Sequence, residues 1–322
     1  MDCGVWLGWG VNQKTALLFA GQGTQVVGMG RDLAEAYPVA AGLFRRADEV
    51  LGMGLSGVCF GGPEAELTRT ENAQPGIYLA SWVAFELLRE AVPGLAFGAT
   101  AGLSLGEFTA LAAAGAMTFE EGLQVVRMRG RFMQEACDAT RGSMAAVIGL
   151  DEGPTREVCA EAGVTLANLN CPGQLVISGE AGRVGKAVEL ARAKGARKAI
   201  PLAVAGAYHS PLMASARAKL AGELGKVGWR EPVVPVVSNV TARPHGDPGT
   251  IAGVLVEQVT SSVRWEESMR WLLGQGYTRF IELGPGSALA GFMRRIDKAA
   301  VVLNVSDVAT LAATATALRG QG

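Results

Sequence analysis

The chain has few of the residues that build metal sites, disulfide frameworks and cofactor loops. Its 322 residues include only two histidines, His209 and His245, and five scattered cysteines without a C-x-x-C pair. So few ligands cannot form an ordinary zinc site, and an odd, scattered cysteine set argues against a disulfide framework. We therefore expect reduced thiols in a cytoplasmic protein that uses no metal and no other cofactor.

Two further absences narrow the class of protein. A formal net charge of −1 lacks the basic excess of a nucleic-acid-binding protein, and no run of 18 apolar residues could span a membrane. We expect neither nucleic acid nor membrane as a partner. Residues 1–14 are interpreted as an N-terminal extension, since the secretory signal alternative would need a basic start and a longer apolar core.

Hydrophobic periodicity predicts an α/β fold in two parts. Strands at 14–19, 97–101, 233–237 and 279–283, with helices near 31–51, 75–91 and 118–137, indicate a parallel sheet covered on both faces. Residues 142–204 show the β-α-β-β-α-β order of a ferredoxin-like unit. We predict a large α/β-hydrolase-like domain (15–140 and 205–322), an inserted ferredoxin-like α+β subdomain (141–204), and a ligand cleft between them.

The pentapeptide Gly102-Leu103-Ser104-Leu105-Gly106 fits G-x-S-x-G, the nucleophile elbow. It lies between a predicted strand and an alanine-rich helix at 107–116, which places Ser104 at a helix N-terminus. Free N–H groups there favour a developing oxyanion. The pattern alone leaves a second interpretation open, a glycine-rich turn whose serine only caps the helix.

A serine nucleophile needs a neighbouring base, and histidine is the usual one. His245 lies in a polar, turn-rich loop and is expected to be exposed, whereas His209 follows the last strand of the small subdomain. We therefore expect His209 to be the base. Spacing alone assigns neither an acidic third residue nor a role for Arg129. A G-x-G-x-x-G match at 52–57 follows a helix rather than a strand, so no dinucleotide site is predicted there.

Taken together, the chain resembles the malonyl-CoA:acyl carrier protein transacylase family of bacterial type II fatty acid synthesis, from about Thr15 to Ile296. The segments that carry the resemblance are 19–25 (FAGQGTQ), 102–107 (GLSLGE), 128–130 (MRG) with 133–134 (MQ), 168–174 (NLNCPGQ), 208–213 (YHSPLM), 238–240 (SNV), 263–265 (VRW) and 282–286 (ELGPG).

The resemblance implies a role for each matching residue. Ser104 would carry the malonyl group as an ester, and His209 would act as base and then acid. Arg129 would hold the malonyl carboxylate. The backbone N–H groups of Gln22 and Leu105 would form the oxyanion hole, and the backbone carbonyl of Gln258 would orient the imidazole. Asn170 and Asn239 would be supporting residues near the cleft.

The resemblance also implies the partners and exposes one departure. Malonyl-CoA and acyl carrier protein would be the partners of a monomeric enzyme. Leu103 stands where the family usually has histidine, from which we expect retained activity with altered selectivity or rate. Tyr208 matches the malonyl rather than the methylmalonyl pattern. A discrete acyltransferase for a polyketide synthase, a serine thioesterase and an inactive binding protein are the alternatives.

An acidic carrier protein would favour a basic surface near the cleft. Solvated surface charge is the alternative interpretation of both basic clusters. They are Arg183, Lys186, Arg192, Lys194, Arg197 and Lys198 in the small subdomain, and Arg294, Arg295 and Lys298 near the C-terminus.

Overall fold

The computed structural model describes residues 14–320, whose strands form two separate sheets. A five-stranded parallel sheet has the order β7-β2-β1-β8-β9, and a four-stranded antiparallel sheet the order β4-β5-β3-β6. The strands are Lys14–Phe19 (β1), Ala99–Gly102 (β2), Gly142–Ile148 (β3), Thr165–Cys171 (β4), Gln174–Glu180 (β5), Lys198–Pro201 (β6), Val236–Val237 (β7), Tyr277–Leu283 (β8) and Val301–Val305 (β9).

Helices follow most of the strands and cover both faces of the parallel sheet. They are Arg31–Ala36 (α1), Pro38–Leu51 (α2), Leu55–Gly61 (α3), Glu64–Thr68 (α4), Thr70–Ala91 (α5), Leu105–Ala113 (α6), Phe119–Asp138 (α7), Glu152–Ala162 (α8), Ala181–Ala193 (α9), Ala214–Leu224 (α10), Pro248–Gln258 (α11), Trp265–Gly274 (α12), Ala288–Ile296 (α13) and Val308–Arg319 (α14).

The centre of the parallel sheet is β1, which pairs with β2 on one side and β8 on the other. Its residues Ala16 to Phe19 are fully buried. A strand buried on both faces consists of a continuous apolar run rather than an alternating pattern, as its sequence does. The C-terminal ends of β1 and β2 therefore lie side by side, and the elbow follows β2 directly.

Three helix predictions were wrong in their bounds. The elbow helix predicted at 107–116 is α6, which begins two residues earlier and ends three residues earlier. The single helix predicted at 31–51 is α1 and α2, because Tyr37 precedes Pro38 and adopts extended angles (φ −126°, ψ 117°). The helix predicted from Pro75 begins five residues earlier, at Thr70. A proline leaves the carbonyl four residues before it without its helical partner, and Arg127 Nη1 donates to that carbonyl, at Glu71.

The antiparallel sheet has the order and connections of a ferredoxin-like unit, with α8 and α9 packed on it around a core of its own. Its four strands lie between Gly142 and Pro201. The fold class is therefore confirmed as a parallel α/β sheet with a separate antiparallel α+β layer. The domain bounds remain a prediction. Lys14, which the predicted extension and the predicted first strand shared, begins β1, and residues 1–13 lie outside the described part.

The two layers meet along the edge strand β4. The Leu169 N–H donates to the Val263 carbonyl (2.9 Å), and the Val263 N–H donates to the Ala167 carbonyl (2.8 Å). A segment of the large part thus extends the small sheet by one short bridge. Over residues 14–320, no helix is long and apolar enough to cross a membrane.

Candidate active site

Ser104 occupies a strained turn between β2 and α6. Its φ is +52°, in a region that a side chain disfavours. The flanking glycines are required by space: a Cβ at Gly102 would lie 1.9 Å from the Gly106 carbonyl carbon, and one at Gly106 would lie 2.2 Å from the Phe19 carbonyl oxygen. The local geometry is that of a nucleophile elbow rather than an ordinary helix cap, since Ser104 makes no side-chain cap bond.

Asn239 holds this turn from the neighbouring strand end. Its Oδ1 accepts from the Ser104 N–H (2.6 Å), and its Nδ2 donates to the Gly102 carbonyl (2.8 Å). Asn239 is fully buried. The residue predicted as a supporting one therefore lies against the elbow backbone and opposes relaxation of its strain.

Ser104 and His209 are in hydrogen-bond contact, 105 residues apart in the chain. Ser104 Oγ lies 2.8 Å from His209 Nε2. His209 Nδ1 lies 3.0 Å from the Gln258 carbonyl and 3.2 Å from the Ser261 carbonyl. Because carbonyls only accept, the Nδ1–H donates to them and Nε2 is left to accept the serine proton.

The environment keeps this imidazole neutral. Burial, followed by the positive charge of Arg129, lowers the pKa of His209 to about 4, against the opposing effect of the two carbonyls. His209 is 4% exposed and has a φ of +55°, a second strained backbone in the site. Two strained residues in contact are typical of a functional site.

Arg129 enters the site from α7 and is 1% exposed. Its terminal nitrogens donate to neutral side chains: Nη1 to Gln74 Oε1 (2.6 Å), and Nη2 to Ser104 Oγ (3.0 Å) and Gln258 Oε1 (3.0 Å). Its Nε has no hydrogen-bond partner among residues 14–320. Burial lowers its pKa to about 10, so the guanidinium is charged at neutral pH. A buried cation with a spare donor, beside the serine hydroxyl, is suited to a carboxylate ligand.

Gln258 is the last residue of α11, and it contacts His209, Arg129 and Ser104. Its backbone carbonyl accepts from His209, its Oε1 accepts from Arg129, and its Nε2 donates to the Ser104 carbonyl (3.0 Å). The carbonyl contact is the one that the family resemblance implies. The two side-chain contacts could not be inferred from the sequence.

The predicted oxyanion-hole residues come from two separate segments, the start of α6 and the loop after β1. Leu105 is the first residue of α6, where N–H groups have no helical acceptor. Gln22 lies in the loop after β1 and lines the same cavity as Ser104. Its side chain is held by Gln74 Nε2, which donates to Gln22 Oε1 (3.2 Å).

The site opens into a cavity of about 310 Å³ between the two layers. Asn170 lines it, with an Oδ1 that has no hydrogen-bond partner in the described chain. Leu103 and Phe292 give it apolar walls. Tyr208 lines it too, its hydroxyl 2.5 Å from Thr70 Oγ1, and burial raises the pKa of that phenol to about 12.

Sequence reasoning missed Gln74 and misplaced His245. Gln74 lies within α5, just outside the helix predicted from Pro75, and contacts Arg129. The expectation that His245 is exposed was wrong: its side chain is fully buried, with Nε2 2.7 Å from Glu107 Oε1. The composition of the loop did not indicate this burial, because the contact with Glu107 depends on how the loop packs against the elbow helix.

No group of three or more potential metal ligands occurs within residues 14–320.

Comparison with known proteins finds a matching family model and relatives of almost the same length. Residues 16–316 match the acyl transferase domain family. The chain is 45% identical over 303 residues to the malonyl CoA-acyl carrier protein transacylase of Bacillus subtilis, covering 92% of this chain and 95% of that protein.

Two solved structures have the same fold. The transacylase of the same name from Coxiella burnetii superposes with a TM-score of 0.91 at 35% identity, covering 94% of this chain and 97% of that one. A malonyl-transacylase in complex with its type II polyketide synthase acyl-carrier protein gives 0.91 at 38% identity, covering 95% and 99%. The resemblance found in the sequence is confirmed, and the chain belongs to the acyl transferase family, among its malonyl-CoA–acyl carrier protein transacylases.

Proposed function

We propose that the protein transfers the malonyl group from malonyl-CoA to the phosphopantetheine thiol of acyl carrier protein, through a malonyl ester on Ser104. The observation that carries the acyl specificity is the buried guanidinium of Arg129, 3.0 Å from the nucleophile and with Nε unpartnered in the described residues. The names and near full-length similarity of the relatives support the same transfer.

In the first half-reaction, Ser104 Oγ attacks the thioester carbonyl while His209 Nε2 takes its proton. The N–H groups of Gln22 and Leu105 stabilise the oxyanion of the tetrahedral intermediate. When the C–S bond breaks, the CoA thiolate receives the proton from His209. In the second half-reaction, His209 takes the proton of the carrier thiol, the thiolate attacks the ester, and Ser104 Oγ leaves with that proton.

Arg129 acts on both binding and basicity. A bound malonyl carboxylate pairs with the buried guanidinium, whereas an acetyl group leaves that charge unpaired at a cost in binding. Because the charge of Arg129 also lowers the pKa of His209, its neutralisation by the substrate makes the imidazole a stronger base. A bound malonyl group therefore makes His209 a stronger base for the proton of Ser104.

Intact-mass spectrometry after mixing with malonyl-CoA tests the covalent step. The wild-type protein is expected to gain one malonyl unit, and Ser104→Ala is expected to gain none. Release of free malonate at the rate of CoA release, without transfer to added carrier protein, would support the thioesterase alternative. A mass gain in Ser104→Ala would place the nucleophile elsewhere.

The carrier protein is proposed to dock beside α13 rather than on α9. Leu289 and Phe292 of α13 line the cavity, and Arg294 and Lys298 follow on the same stretch with exposed side chains. Arg295 is already engaged within the chain, since it donates to Gln174 Oε1 (2.7 Å) and the Pro172 carbonyl (2.6 Å). In the small subdomain, Lys194 pairs with Glu157 and Arg183 with Glu180.

A second candidate concerns the carrier, not the chemistry. The similarity to the malonyl-transacylase bound to a polyketide carrier favours acceptance of carriers from either pathway.

We propose that the protein acts in fatty acid synthesis and is located in the cytoplasm. We also propose that the protein is a monomer, which light scattering at assay concentration tests.

A further inference from the structure

Two buried ionisable side chains lie behind the nucleophile and take no part in the proposed transfer. Glu107 is in the first turn of α6, and His245 is in the loop that precedes α11. Both side chains are fully buried, and His245 Nε2 lies 2.7 Å from Glu107 Oε1. Since an ionised carboxylate only accepts, Nε2 carries the hydrogen, and Nδ1 has no hydrogen-bond partner within residues 14–320.

The other oxygen of Glu107 connects this pair to the active site. Glu107 Oε2 accepts from Gln258 Nε2 (2.6 Å) and from the Asn239 N–H (3.0 Å). Three donors, two from the loop between β7 and α11 and one from the end of α11, thus meet on one carboxylate. A buried carboxylate requires such donors, and each of them is in turn oriented by it.

The contact decides which way the Gln258 amide faces. Its Nε2 lies between two acceptors, Glu107 Oε2 and the Ser104 carbonyl, which leaves Oε1 directed at Arg129 Nη2 (3.0 Å). The reversed amide would place an NH₂ group against the guanidinium and an oxygen against two oxygens. The charge of Glu107 also opposes the effect of burial on the pKa of Arg129 and keeps that side chain cationic.

We propose that His245 and Glu107 form a positioning pair that fixes the Gln258 amide, and through it the Arg129 guanidinium, in the orientation that receives the acyl carboxylate. His245 supplies the donor that holds Glu107 Oε1, so that Oε2 faces Gln258. The proposal rests on the carboxylate-binding role of Arg129 stated above. It predicts an effect on malonyl groups that acetyl groups do not share.

The test compares Ser104 acylation by malonyl-CoA and by acetyl-CoA in three proteins. His245→Leu removes the donor, and His245→Gln retains an N–H near the position of Nε2. For His245→Leu we expect kcat/KM for malonyl loading to fall about tenfold, the size of one lost buried hydrogen bond to a charged group. Acetyl loading should change by less than about twofold, and His245→Gln should recover most of the malonyl rate.

Three results would overturn the inference. They are an equal fall for both acyl groups, no change for malonyl, or no recovery in His245→Gln. If His245→Leu fails to fold, Gln258→Met provides the comparison, because it removes the amide through which the pair acts at similar volume. Arg129→Ala distinguishes failure of the proposed function from failure of the positioning pair. If Arg129→Ala still prefers malonyl-CoA over acetyl-CoA, the proposed role of Arg129 itself is contradicted. If Arg129→Ala loses that preference while His245→Leu keeps normal malonyl loading, only the positioning pair is contradicted.

Discussion

The protonation state of His209 is set by burial and by the neighbouring charge of Arg129. Arg129 and His209 are both nearly inaccessible to water, and the positive charge of Arg129 adds to burial in lowering the pKa of His209. The guanidinium stays charged because its ordinary pKa is far above neutral, whereas the imidazole becomes neutral. One residue is thus ready to bind an anion and the other to accept a proton.

This pairing predicts the acid limb of the pH profile. The pKa of His209 is about 4 in the folded protein, below its ordinary value of 6.5, so the imidazole can accept a proton at every pH above about 4. We expect kcat/KM for malonyl-CoA to be almost constant from pH 8 down to about 5.5 and to fall only below that. A fall centred near 6.5, measured with the protein shown to be folded by circular dichroism, would contradict the prediction.

At the scale of secondary structure, the elbow depends on how closely β1, β2 and α6 approach one another. The backbone of Gly106 passes so close to the end of β1 that a methyl group would meet the carbonyl oxygens of Phe19 and Ala20, at 2.2 and 2.9 Å. Neither atom belongs to a flexible side chain, so the strand or the helix would have to move. The strain at Ser104 is therefore maintained by packing of whole elements.

Gly106→Ala is expected to lower the free energy of unfolding by about 3 kcal/mol, the upper end of the usual cost of overpacking, and to abolish acylation of Ser104. Gly253→Ala is the matched control, since the Gly253 position in α11 has no atom within 4 Å of the added methyl. That control should raise stability by about 0.5–1 kcal/mol and leave loading unchanged. Urea denaturation and intact-mass loading measure both; equal stability of the two variants would contradict the packing argument.

At the scale of the whole molecule, the cavity lies between two layers that meet at a fixed edge. The backbone bridge from Val263 to β4 holds the small sheet against the large one, and α13 forms part of the cavity wall near that junction. The carrier protein is proposed to reach the cavity beside α13, so that its phosphopantetheine thiol can approach Ser104. The charges around the rim therefore bear on carrier binding more than on binding of the small acyl group.

Charge reversal at the rim tests this. Arg294→Glu with Lys298→Glu should raise KM for acyl carrier protein severalfold at low salt, less at high salt, and leave KM for malonyl-CoA within about twofold. Lys186→Glu on α9, a reversal at an exposed side chain of the small subdomain, is the control and should have no effect. An effect of Lys186→Glu without one at α13 would assign docking to α9.

Some elements were predictable because their sequences match their burial. β1 has the bounds read from periodicity, since it has a clear apolar pattern and clear ends. β9 and α14 were not predicted: β9 is an edge strand that is only partly buried except at Val305. The strand predicted at 233–237 is shortened to β7, because Pro235 has no N–H and Val233 is 77% exposed.

The sequence by itself determined the parallel and antiparallel layers and the elbow serine. It also limited the catalytic base to one of two residues, because the chain has only two histidines. Hydrophobic periodicity and turn-forming residues are local features, so they can be recognised in a single sequence. Only the tertiary structure brought Ser104, His209 and Arg129 into contact, oriented Gln258 between them and buried His245 against Glu107. Those contacts join segments up to 154 residues apart, and their geometry depends on how strands and helices pack rather than on any local pattern.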